Sequence, residues 1–148
     1  MSNATTTVGL KLQRGDAATP TEGFTTIGEV TNISGPNETA GQADVTSFDS
    51  TAKEYRALLP DSGEVTFDMN FVGSNAQQQG LRADIRAGTV RNFKLILPDK
   101  TLEANCTTCA FSAIVTDLSG PQGGVDSALT QSCTLKVTGQ PAWTYASA

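Results

Sequence analysis

The chain has 148 residues, enough for one domain that buries about 70 % of its unfolded surface without disulfide or metal support. Its net charge is −5, and its ten basic residues are scattered in no run, which excludes a tight grip on a nucleic-acid backbone. It contains no histidine, so the commonest general base, the Ser–His and Cys–His nucleophile pairs and the commonest zinc ligand are all missing. Hydrophobic residues at 38 % and charged residues at 17 % both fall below the usual ~45–50 % and ~25 %. Thr, Ser, Asn, Gln, Gly and Ala fill the difference. Thr suits a pleated, half-buried surface and Gly marks turns and bulges, so we expect a mainly β protein with a polar, weakly charged surface.

Residues 5–12 open the chain as a first strand, with Val8, Leu10 and Leu12 alternating with polar neighbours. Residues 14–22 are punctuated by Gly15, Asp16 and Pro20 and form a loop. Residues 24–33 resume strand character with a bulge near Gly28. Residues 43–48 make a short strand. Residues 48–62 form an apolar loop carrying Tyr55, Leu58 and Leu59; a loop of that length, against a median of ~4–6 residues, is usually functional. Residues 63–72 give the clearest strand: Val65, Phe67, Met69 and Phe71 face one way and Glu64, Thr66, Asp68 and Asn70 the other. A helix follows at about 75–87, with Ser74 as N-cap, Gln77 completing a capping box, Leu81 and Ile85 in an apolar stripe, and Gly88 as terminator. Gly80 weakens it, and Arg82 and Arg86 suit its C-terminal end. Residues 90–97, one or two strands within 101–118, and a final strand at 126–138 complete the set. Residues 1–6 and 141–148 are expected as a mobile arm and a loose tail. About seven to eight strands and one flanking helix describe a β-sandwich or open barrel in a single domain.

Chemistry is poorly supported. Cys106-x-x-Cys109 and Cys133 are one ligand short of a zinc site, and no helix follows the pair to lower a thiol pKa. An odd cysteine count behind a polar start with no apolar leader leads us to expect free thiols and a reducing compartment. Asp44, Asp49, Asp61, Glu64 and Asp68 could pair as carboxylates, but their alternation with Thr and Asn suits a solvated sheet face better. Trp143 and Tyr145 are a weak case for a ligand platform. No phosphate loop or nucleophile elbow occurs, and no apolar run approaches the ~20 residues of a membrane helix. We expect no enzyme activity, no cofactor, no metal and no membrane partner.

The order and spacing of several segments resemble the major tail tube proteins of long-tailed, lambda-like siphovirus bacteriophages. The segments are Ile27-Gly28-Glu29-Val30-Thr31-Asn32-Ile33-Ser34-Gly35-Pro36, Ala43-Asp44-Val45-Thr46-Ser47-Phe48-Asp49-Ser50, Tyr55-Arg56 before Leu59-Pro60, and Gly63-Glu64-Val65-Thr66-Phe67-Asp68-Met69-Asn70-Phe71. Beyond the helix come Gly88-Thr89-Val90-Arg91-Asn92-Phe93, Leu97-Pro98-Asp99 and Cys133-Thr134-Leu135-Lys136-Val137-Thr138-Gly139-Gln140-Pro141. Together they span nearly all of residues 24–142, and the Cys106–Cys109 region is where the chain departs from the family pattern.

The resemblance implies a virion structural protein, made in the host cytoplasm. It assembles with itself into hexameric rings that stack as a hollow tail tube, through which DNA passes without specific binding. Tape-measure, tail-tip and tail-terminator proteins are the further partners it implies. On that footing the stacking loop is assigned to Phe48, Asp49, Tyr55, Arg56, Leu58, Leu59 and Pro60, apolar anchors that wait for a neighbour. If the Asp44 strand pairs with the Glu64 strand, Asp44, Thr46, Glu64, Thr66, Asp68 and Asn70 share one face, a candidate lumen whose sign discourages DNA from adhering. The alternatives are a monomeric β-sandwich module binding carbohydrate or a cell surface, and a tube protein of the secretion-system type. The first would call for exposed aromatics on one face, and only nine aromatics exist.

Overall fold

The computed structural model describes residues 4–6 and 8–146. Among them the chain forms β1 (Lys11–Gly15), β2 (Phe24–Thr26), β3 (Val30–Ser34), β4 (Thr39–Asp44), β5 (Tyr55–Asp61), β6 (Glu64–Asn70), α1 (Ala76–Ala87), β7 (Arg91–Ile96), β8 (Thr108–Leu118) and β9 (Thr130–Thr144). A short 3-10 turn, Glu103–Asn105, leads into β8. Seven strands make one antiparallel sheet in the order β2-β1-β7-β8-β9-β6-β3, and β4 and β5 pair only with each other. The sheet curls until its ends approach: Leu10 and Leu12 share a cleft of about 180 Å³ with Val30 and Ile33. The end strands β2 and β3 do not bond to each other, so the fold is an open, mainly β structure with one helix. No helix among the described residues is long and apolar enough to cross a membrane.

Period-two patterning builds the core. Val65, Phe67 and Met69 of β6 are buried, as are Cys133, Leu135 and Val137 of β9 and Cys109, Phe111, Ala113 and Val115 of β8. Phe93 stacks on Phe111 with ring centroids 5.8 Å apart. Each large side chain removed from water contributes about 1.5–3 kcal/mol. The helix adds Leu81, fully buried against the sheet.

Polar contacts fix where α1 sits. The cap is Asn75, not Ser74: its Oδ1 accepts from the backbone N–H of Gln77 and Gln78 at 3.0 and 3.1 Å. Gly88 ends the helix at φ 65°, a left-handed conformation that glycine adopts without steric cost. Buried Gln78 donates to the carbonyls of Gly28 and Asn70 and accepts from Val72 N–H, tying the first turn to the end of β6. Asp84 is 2 % exposed and holds two guanidiniums: Arg14 of β1 at 2.8 and 3.0 Å, and Arg91 of β7 at 3.0 Å. Gly80 is the reason Arg14 reaches it. A Cβ at Gly80 would lie 2.6 Å from the Arg14 guanidinium carbon, so the glycine that costs helix propensity opens the path for the clamp.

Several expected boundaries move. The first strand starts at Lys11 and includes Arg14 and Gly15, while Val8 is exposed and Thr7 lies outside the described residues. Residues 24–33 split into β2 and β3 around Glu29, whose φ is 64°. Phe71 turns outward, beyond the end of β6. The last strand runs on to Thr144 instead of ending at Pro141. Its pairing with β8 shifts between Ala110 and Ser112, which leaves room for Gly139 and Pro141 in a bulge, where a sheet tolerates proline. Residues 141–144 therefore belong to the sheet; residues 1–3, 147 and 148 of the expected arm and tail lie outside the described residues.

Candidate assembly surface

The segment expected as an apolar loop over 48–62 is largely a strand. Residues Tyr55–Asp61 form β5 and pair antiparallel with β4, from Asp44 opposite Tyr55 to Thr39 opposite Asp61. The register shifts between Ala40 and Gln42, and there Gly41 makes room for Leu58: a Cβ at Gly41 would lie 3.2 Å from Leu58 Cδ1. The shift spoils strict alternation, and Pro60 lies on a strand whose other edge is unpaired, which proline tolerates.

The root of the hairpin is pinned and its tip is not. Asp61 meets Lys136 Nζ of β9 at 3.2 Å and accepts from Gly63 N–H at 3.0 Å. The Gly63 N–H first and then Lys136 hold the Asp61 carboxyl below the ordinary carboxylate pKa. Ser62 donates to the Gly139 carbonyl at 2.7 Å. Beyond that root the hairpin closes on itself. Val45 N–H donates to Glu54 O at 2.9 Å, and Thr46 N–H donates to Asp44 Oδ1; the Thr46 hydroxyl first and then its N–H hold the Asp44 carboxyl below its ordinary pKa. Every residue of β5 is exposed. Phe48 is wholly exposed, Leu59 is 93 % exposed, and Tyr55 and Leu58 are each about half exposed. A two-stranded hairpin is marginal by itself, and these exposed apolar side chains lie outside the core.

The expected lumen face is corrected. Asp44 and Thr46 belong to the hairpin, because β4 pairs with β5 and not with β6. Glu64, Thr66, Asp68 and Asn70 do share one face of β6, opposite Val65, Phe67 and Met69. Across on β9 they meet Lys136, Thr134, Ser132 and Thr130. Asp68 accepts from Ser132 Oγ at 2.7 Å, and Asn70 donates to Glu29 at 3.3 Å. The face is polar and carries two carboxylates against one lysine, Lys136, which is paired to Asp61.

The remaining candidates are structural. Cys106, Cys109 and Cys133 are free and buried. Cys106 Sγ lies 3.3 Å from the Lys100 carbonyl. Burial raises the Cys109 thiol to about 11 and the Cys133 thiol to about 12, which leaves both protonated and unreactive at neutral pH. Trp143 stacks on Tyr145 at 6.1 Å and packs partly against the core. Among the described residues no three Cys, Asp or Glu side chains converge as metal ligands.

The profile of the lambda phage tail tube protein family matches residues 13–144. The chain belongs to that family. It is a structural subunit of the phage tail tube and a component of the virion, and this favours a tube over a monomeric binding module. The fold is shared with the tail of a gene transfer agent particle (18 % identity over 95 % of this chain and 99 % of that one, TM-score 0.69). It is also shared with the tube-terminating cap of the anti-feeding prophage (12 % identity, 99 % and 94 %, TM-score 0.75) and the SPP1 tail tube (18 %, 92 % and 76 %, TM-score 0.64). No curated protein matches the chain in sequence.

Proposed function

We propose that this subunit polymerises as six-membered rings stacked into a hollow tube that conducts the phage genome, and that the β4–β5 hairpin is its stacking element. The observation that carries the reading is the hairpin itself: an apolar projection, rooted in the main sheet and covered by nothing, on a member of a tube-forming family. The similar gene transfer agent tail has C6 symmetry, which supports the ring number. Closing a ring needs a head-to-tail interface between unlike patches, and stacking needs a second, axial one. The residues assigned to stacking are Phe48, Asp49, Tyr55, Arg56, Leu58, Leu59 and Pro60. The β6 face with Glu64, Thr66, Asp68 and Asn70 lines the lumen, where duplex DNA of about one charge per 1.7 Å meets hydroxyls and a weakly acidic surface in place of a basic track. Tape-measure, tail-tip and terminator proteins bind the tube and its ends. The role is structural, without catalysis.

The test is assembly of the Tyr55→Ala/Leu58→Ala double variant, followed by negative-stain electron microscopy and light scattering. Neither side chain is in the core, so the expected result is a folded subunit that makes no tubes. Normal tubes from this variant would remove the hairpin from the stacking contact.

A further inference from the structure

One side of α1 bears a cleft of about 290 Å³, lined by Phe71, Val72, Gln79, Arg82, Ala83 and Arg86. That is small beside ligand pockets of ~300–1,000 Å³; it has room for one large side chain. Phe71 shows 37 % of its surface there. Arg82 and Arg86 stand one helical turn apart on a shared stripe. Among the described residues neither guanidinium has an ion pair or hydrogen bond, whereas Arg14 and Arg91 are both bound to Asp84. The cleft thus joins an apolar floor to two unneutralised cations.

The hairpin tip carries the complement. Phe48 is wholly exposed. Asp49 beside it has no partner among the described residues, while Asp44 is engaged by Thr46 and Lys53, and Glu54 by Ser50. An aromatic ring beside a bare carboxylate on the hairpin is thus the chemical complement of an aromatic-floored cleft beside bare guanidiniums on α1. Both halves are open in one folded subunit, so the contact they suit is between copies, and it is one-directional because the two patches differ. We propose that Phe48 of one copy enters the α1 cleft of a second copy, with Asp49 paired to Arg82 and Arg86. This rests on the reading of the hairpin as the stacking element and names the surface that receives it. Apolar burial at the centre with charges at the rim is the usual anatomy of a specific contact.

The test uses the full chain at a concentration where the unaltered protein forms tubes, reading pelleted protein and electron micrographs. Arg82→Glu/Arg86→Glu and, separately, Asp49→Arg are each expected to cut pelleted tube at least tenfold while circular dichroism and melting match the parent. Combining the two reverses both charges and is expected to restore tubes. With p-benzoylphenylalanine in place of Phe48, cross-links in assembled tubes are expected within residues 71–86 of another copy. The cleft is overturned if the arginine reversals assemble like the parent, if the combined variant fails to recover, or if the cross-links map elsewhere. In those cases loss of tubes from Tyr55→Ala/Leu58→Ala keeps the hairpin as the stacking element. Normal assembly by that variant as well overturns both.

Discussion

Asp84 is a buried carboxylate that draws β1 and β7 onto one helix, with Arg14 and Arg91 both bonded to it. Removing one member of such a cluster leaves uncompensated charge in a dry setting, at a cost of about 3–5 kcal/mol. For a domain of this size, at roughly 2–4 °C per kcal/mol, Asp84→Asn is expected to lower Tm by about 10 °C, read by a thermal melt. The thiols make a second prediction at this scale. Burial raises Cys109 to about 11 and Cys133 to about 12, against 9.0 for an unburied thiol. The folded state therefore holds these protons more tightly than the unfolded chain. Their contribution is intact below pH 9 and is lost as pH rises toward 11–12, by up to about 1.4 kcal/mol per pH unit for each thiol. Denaturation at pH 8 and at pH 10 should show lower stability at pH 10. In the folded protein at pH 8, neither thiol should react with a disulfide reagent until denaturant is added. None of this was legible in the sequence beyond the cysteines being free: Asp84 is one acid on a polar helix, and only the fold brings two arginines, 70 and 7 residues away, onto it.

At the scale of elements, legibility followed burial. Strand β6 was readable almost to the residue, because Val65, Phe67 and Met69 on one of its faces lie in the core and its side chains alternate accordingly. The helix was readable from its stripe and Gly88, and only its cap moved by one residue, to Asn75. β5 was not readable: with both faces exposed and a register shift beside it, nothing imposes a period of two on its side chains. The stacking assignment rests on Phe48, Tyr55, Leu58 and Leu59 being apolar, and the fold leaves all four exposed. The expectation that Asp44 and Thr46 share the β6 face does not hold, for a different reason. It assumed that neighbouring strands in sequence pair, whereas β6 pairs with β3 and β9. The cleft beside α1 was hidden because Arg82 and Arg86 already had a sufficient local account in the helix dipole.

For the whole molecule, the polar side of the main sheet makes the prediction. Glu64, Thr66, Asp68 and Asn70 lie beside Lys136, Thr134 and Ser132, with no apolar side chain among them. A reconstruction of the tube by electron cryomicroscopy is expected to show these side chains at the inner wall. Finding them on the outside would reject the lumen. Family membership, a virion role and an open β fold were all accessible from segment order along the chain. The axial geometry was not, because it depends on how two surfaces far apart in sequence meet in different copies.

Among the described residues the hairpin has no twin, and this has a consequence for growth. On the proposed stacking every tube is polar, with hairpins protruding at one terminus and receiving surfaces open at the other. A copy stripped of residues 45–61 keeps the α1 cleft but lacks every residue assigned to stacking. Mixed in as a small minority, such copies act as chain terminators: they arrest extension at one terminus, so that tubes become shorter in proportion to the dose while those already built persist.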